Sequence, residues 1–148
     1  MDEVFRSRKH SLHFETSELC VITYDGSPLE GDIRCIHAEL KRWSQGKPHF
    51  SMLVNLTSLG DVEPAARRAA AETLDVPNLT GIAGYGMSWP VRATATLTAA
   101  LIRAFGKVKC PIRFFATEAD ARAWLAGSSL RTVAPAHTRA SSEQSPPL

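Results

Sequence analysis

Phe50-Ser51-Met52-Leu53-Val54-Asn55-Leu56-Thr57-Ser58-Leu59-Gly60-Asp61-Val62-Glu63-Pro64-Ala65-Ala66 is the stretch on which the fold turns. Phe50–Leu56 is mostly apolar without alternation, the pattern of a strand covered on both faces. Thr57–Glu63 then reads as a loop. Pro64 suits the first turn of a helix, where its missing N–H has no intrahelical partner to lose. Ala65, Ala66, Ala69, Ala70 and Leu74 predict a small-residue face that brings this helix close to a sheet. A doubly covered strand followed by a loop and a helix is the repeating unit of a parallel α/β layer.

Upstream, His10–Glu15 and Leu19–Tyr24 are two short runs of β-favouring residues separated by Thr16-Ser17-Glu18, which predicts a tight hairpin. Ser27 or Pro28 can open a helix whose apolar stripe is Leu29, Ile33, Ile36, Leu40 and Trp43, ended by Gly46-Lys47-Pro48. Downstream, Thr80–Tyr85 predicts a strand, and Ser88 an N-cap for a helix from Trp89 to Phe105 closed by Gly106. Pro111–Ala116 predicts the last strand. Thr117 then caps a short helix holding Ala121, Trp124 and Leu125. The order ββαβαβαβα implies an α/β domain with a mixed, mostly parallel five-stranded sheet and four helices. Its expected span is residues 10–126, after a flexible lead at 1–9. From Gly127 to Leu148, Ser, Pro, Ala and Thr dominate without periodicity, so residues 127–148 are expected to be a disordered tail.

The 148 residues carry 17 Lys+Arg and 15 Asp+Glu, a net charge of +2, with 44% hydrophobic and 22% charged residues. So balanced a chain lacks the concentrated basic charge of a dedicated nucleic-acid binder. No apolar run reaches the roughly 20 residues needed to span a bilayer, and Met1–Lys9 lacks the apolar core of a leader. Cys20, Cys35 and Cys110 show no paired spacing and sit in or beside apolar segments, which predicts buried structural thiols. A reducing, cytoplasmic setting follows as the expectation.

No catalytic motif is complete. His37-Ala38-Glu39 matches half of a zinc deaminase signature, but the Pro-Cys-x-x-Cys half is missing. His37 is therefore read as the polar flank of an amphipathic helix. Gly86-Met87-Ser88-Trp89-Pro90 is close to a nucleophile elbow, yet proline replaces the last glycine, and the only later histidine is His137. Ser88 reads better as a helix cap. Gly84-Tyr85-Gly86 lacks the third glycine of a dinucleotide fingerprint. What remains there is a candidate anion or small-ligand site at Gly86, Ser88, Trp89 and Arg92, formed by a helix start. The histidines are scattered, and neither a metal nor a cofactor is expected.

Leu53-Val54-Asn55-Leu56-Thr57-Ser58-Leu59-Gly60-Asp61-Val62-Glu63-Pro64 resembles the strand and loop of STAS/SpoIIAA-like domains, the family of anti-sigma-factor antagonists. Asn55-Leu56-Thr57-Ser58 stands where members read like D-L-S-G, and Glu63-Pro64-Ala65-Ala66 where they read like D-S-S-G. Phe114-Phe115-Ala116-Thr117, leading through Ala121 to Trp124-Leu125, is similar to the ending of bacterial SpoIIAA-like proteins. The resemblance covers roughly residues 10–126. It implies a partner-binding surface at Thr57, Ser58, Asp61, Glu63 and Pro64. It also implies a departure: the family's phosphorylatable serine falls on Pro64, and the next residue, Ala65, has no hydroxyl either.

The expected function is accordingly a non-catalytic regulatory protein-interaction module that binds a signalling partner and lacks the phosphorylation switch. The alternative is a binding protein for a small apolar or anionic ligand, of the kind implied by the likeness of SpoIIAA-like to CRAL-TRIO folds. The helix from Trp89 carries a second apolar stripe at Leu97, Ala100, Leu101 and Ala104. Either a neighbouring helix or a second copy in a weak homodimer would cover it.

Overall fold

The structure is a computed structural model that describes residues 3–105 and 108–133. Six strands form one sheet in sequential order: β1 (Val4–Ser7), β2 (His10–Thr16), β3 (Leu19–Gly26), β4 (Phe50–Leu59), β5 (Leu79–Tyr85) and β6 (Ile112–Phe115). β1, β2 and β3 are joined antiparallel, whereas β3 to β6 run parallel. The helices are α1 (Glu30–Ser44), α2 (Pro64–Thr73), α3 (Trp89–Phe105) and α4 (Glu118–Val133).

Each parallel connection steps one strand along the sheet in the same direction. Right-handed crossovers then put α1, α2 and α3 on one face. α2 packs between α1 and α3 there, while α4 lies against β4, β5 and β6. Two cores result. The larger unites Leu12, Ile22, Ile36, Leu40 and Phe50 with the alanines of α2 and α3. The smaller joins Val21, Leu53, Ala83 and Tyr85 to Ala121 and Leu125 of α4.

The expected alanine face of α2 is largely present, with Ala66, Ala69, Ala70 and Ala71 buried, but Ala65 is exposed and Ala71 takes its place. α1 begins later than Ser27 or Pro28 would put it. Leu29, expected in its apolar stripe, is instead the exposed N-cap residue.

Three expectations are corrected at the ends and at the thiols. Residues 4–7 are not a free lead but the edge strand β1, paired from Val4↔His13 to Ser7↔His10. The Arg8–Lys9 turn, with Arg8 at φ +57°, is fastened to α1 through Asp32. That carboxylate accepts from the Ser7 hydroxyl at 2.7 Å, from Arg8 Nε at 3.0 Å and from the Leu29 N–H at 2.9 Å. At the other end, α4 continues past residue 126 to Val133, so the segment from 127 starts as helix. The remainder of the expected tail, 134–148, lies outside the described residues, as does Gly106. Of the cysteines, Cys20 is buried and Cys110 partly so, but Cys35 is exposed on α1.

Candidate functional site

The carboxyl ends of β3, β4 and β5 and the starts of α1, α2 and α3 meet along one rim of the sheet. Open α/β sheets present their crevices to ligands and partners at this rim. Backbone approach there is close. Gly60 N–H donates to the Gly26 carbonyl at 2.9 Å, and a Cβ on Gly60 would stand 2.6 Å from Ser27 Oγ. Gly86, at φ +85°, lies so near β4 that a Cβ would stand 2.3 Å from Thr57 Oγ1.

This packing sets Thr57 of the first group of sequence-derived residues against Gly86 of the second. Thr57 is exposed at the end of β4, its N–H bound by Asn55 Oδ1 at 3.0 Å, and it abuts Gly86. β4 runs to Leu59, past the Leu56 end expected, so Ser58 is exposed on the strand beside Thr57. Asp61, Glu63 and Pro64 are exposed along the shorter loop and helix start that follow. Glu63 is the N-cap residue of α2 and Pro64 lies in its first turn. The Asp61 and Glu63 carboxylates have no ion-pair partner among the described residues.

Ser88 is exposed at the start of α3, where its carbonyl accepts from the Arg92 N–H at 3.0 Å, as a capping position requires. Arg92 is exposed one turn along. The assignment of Trp89 rests on a side chain outside the described residues. Ser88 has no histidine partner among the described residues.

Beneath the rim lies a feature that periodicity does not reveal. Between the sheet and α1, α2 and α3 is an apolar cavity of about 120 Å³. Its walls are Ala66 and Ala70 of α2, Ala95 and Ala99 of α3, and Gly84 of β5, with Ile82 and Ile102 among the larger residues. Alanines and a glycine cover the sheet without filling the space between layers. The partly exposed residues of its lining are Val54, Leu59, Val62, Arg67, Thr94, Thr98 and Phe114. Arg67 donates to the Val62 carbonyl at 2.7 Å, and its guanidinium has no carboxylate partner among the described residues.

Two histidines are buried nearby, of which His37 lines the cavity and His10 does not. His37, expected on the polar flank of α1, is buried against α2, with Nδ1 2.8 Å from Thr73 Oγ1. The Thr73 hydroxyl donates to the Ala69 carbonyl at 2.7 Å, so the imidazole must carry its proton on Nδ1. Burial depresses its pKa to about 4. The missed signal was its place four residues after Ile33, beside the apolar stripe. His10 is also buried, its Nδ1 accepting from the Asp25 N–H at 3.0 Å, which puts its proton on Nε2. That nitrogen faces Asp32 Oδ2 at 3.7 Å and has no hydrogen-bond partner among the described residues. Burial lowers the His10 pKa, against the opposing pull of Asp32.

The sequence matches no protein-family model, and no curated protein is similar to it at a significant level. Among solved structures, the fold matches an uncharacterized protein of the DUF3478 family from Shewanella loihica PV-4, described as having a SpoIIAA-like fold. That match has a TM-score of 0.54 and 18% identity, covering 83% of this chain and 90% of the other. The unphosphorylated anti-sigma factor antagonist SpoIIAA aligns with a TM-score of 0.49 and 19% identity, over 80% of this chain and 98% of its own. The chain has a SpoIIAA-like fold, with a sixth strand beyond the five expected. No helix among the described residues is long and apolar enough to cross a membrane.

Proposed function

We propose that this protein is a non-catalytic regulatory module, acting in the cytoplasm, that docks a signalling partner on the rim formed by Thr57, Ser58, Asp61, Glu63 and Pro64. One observation carries the reading: in a SpoIIAA-like fold, this contiguous exposed rim presents two carboxylates that no cation of the described residues neutralises. Such a surface is complementary to a basic patch, and interfacial charges of this kind set encounter rate and orientation. Pro64 and Ala65 offer no hydroxyl where the resemblance would put the phosphorylated serine, so docking is not switched at that place.

The test compares the full chain with Asp61→Lys/Glu63→Lys. Partners captured from source cells are identified, purified and titrated calorimetrically against both proteins. A partner bound by the parent and weakened at least tenfold by the double variant supports the reading. No specific partner, or equal affinity for both proteins, overturns it.

A further inference from the structure

The cavity beneath the rim is mostly apolar and holds one cation in its lining. Its interior is lined by alanines, isoleucines and Gly84, with Tyr24, His37, Thr94 and Thr98 as its neutral polar residues, and its volume is about 120 Å³. An engineered apolar cavity of roughly 150 Å³ stays dry and takes up benzene, so the space is of the size that accepts one ring or a short branched chain. Arg67 belongs to the lining and is only partly buried, so its guanidinium lies between the apolar walls and solvent. One of its N–H groups is committed to the Val62 carbonyl, which holds the side chain in place. The rest of the guanidinium has no carboxylate partner among the described residues. A positioned guanidinium is the side chain best suited to a carboxylate, because its planar fork matches the two oxygens.

We propose that this cavity binds a small monocarboxylate with an apolar body. The body occupies the space between α2, α3 and β5, and the carboxylate pairs with Arg67. A neutral apolar molecule would fill the interior but leave the guanidinium unanswered, and a polar anion would gain nothing from the alanine walls. The observations behind this site are separate from those behind the docking rim, so either reading can fail alone.

3-Phenylpropionate serves as the probe and its uncharged carboxamide as the matched control, each titrated into the full chain while methyl and amide resonances are followed. The expected result is saturable binding of the acid, with intermolecular contacts to the Ile82 and Ile102 methyls. The amide should bind at least tenfold more weakly. Arg67→Gln should lower the acid's affinity to that of the amide, while Arg68→Gln, on the exposed side of α2, leaves it unchanged. Ala99→Leu should abolish binding by filling the cavity. If that variant does not fold, Ala95→Val supplies the same obstruction in smaller measure and should still weaken binding at least tenfold. Absence of saturable shifts, equal binding of acid and amide, or indifference to Arg67→Gln would each overturn the proposal.

Discussion

His37 shows how one buried side chain ties stability to pH. Desolvation holds its folded pKa at about 4, against roughly 6.5 in an unfolded chain. Between those values the unfolded chain binds the extra proton, so stability rises with pH across the window. The contribution is complete above about 6.5 and is lost as pH falls toward about 4, amounting to about 3 kcal/mol. Asp32 titrates elsewhere. Burial alone would raise its pKa, but hydrogen bonds from Arg8, the Leu29 N–H and Ser7 outweigh that and hold it at about 2. Its contribution is complete above about 3.9 and fades only as pH falls toward 2. Urea midpoints at pH 7.5 and 4.5 should therefore fall more steeply in the parent than in His37→Asn, which keeps a donor for Thr73 without the titration. Parallel behaviour of the two proteins would show that His37 exchanges its proton equally in both states.

At the scale of elements, the turn from β5 into α3 is the tightest joint of the rim. Gly86→Ala would put a methyl 2.3 Å from Thr57 Oγ1 on a backbone already at φ +85°. Such a conformation costs a side-chain-bearing residue about 1–3 kcal/mol. The variant should lose at least that much in chemical denaturation, and adding Thr57→Ala should recover part of it by removing the nearest clashing atom. A loss below about 0.5 kcal/mol, the range of an ordinary surface change, would mean the turn relaxes freely. The elements that were legible in sequence are those with a full apolar period or a clear breaker. Phe50–Leu56, the stripe Ile33-Ile36-Leu40 and the Pro64 start are of this kind. β1 was not legible because its four residues alternate weakly, and the turn that folds it onto β2 is fixed by Asp32, which lies 24 residues beyond Arg8 in sequence. The end of α4 was hidden by Gly127-Ser128-Ser129, residues of low helix preference. Within the site, the exposed residues Asp61, Glu63 and Pro64 could be read from the loop, whereas Thr57 and Ser58 belong to the end of β4. The cavity could not, because it depends on how far alanine side chains stop short of the sheet.

For the molecule as a whole, sequential strand order has a lopsided consequence. Three helices crowd one face while α4 lies against β4, β5 and β6 on the other, braced by Arg122, which pairs with Glu15 of β2 at 2.7 Å and with Glu118 at 2.8 Å. α3 is the last helix of the crowded row. It has α2 on one side and, among the described elements, no helix beyond it. Its second apolar stripe is accordingly divided: Leu101 packs partly against the core, whereas Leu97 is 48% exposed, with Ala100 and Ala104 exposed beside it. Sequence alone treats Leu97 and Leu101 as equivalent interface positions, but the structure separates them. If a weak homodimer forms through this face, burying an unpaired carboxylate in it costs more than the apolar contact it replaces. Leu97→Glu should then yield a folded monomer. Leu101→Glu should instead lower the melting temperature by several degrees, because its charge enters the monomer's own core. Sedimentation equilibrium across the micromolar range reads the first outcome and thermal unfolding the second. A parent chain that is monomeric at every concentration removes the dimer. A Leu101→Glu protein as stable as its parent removes the assignment of that leucine to the core.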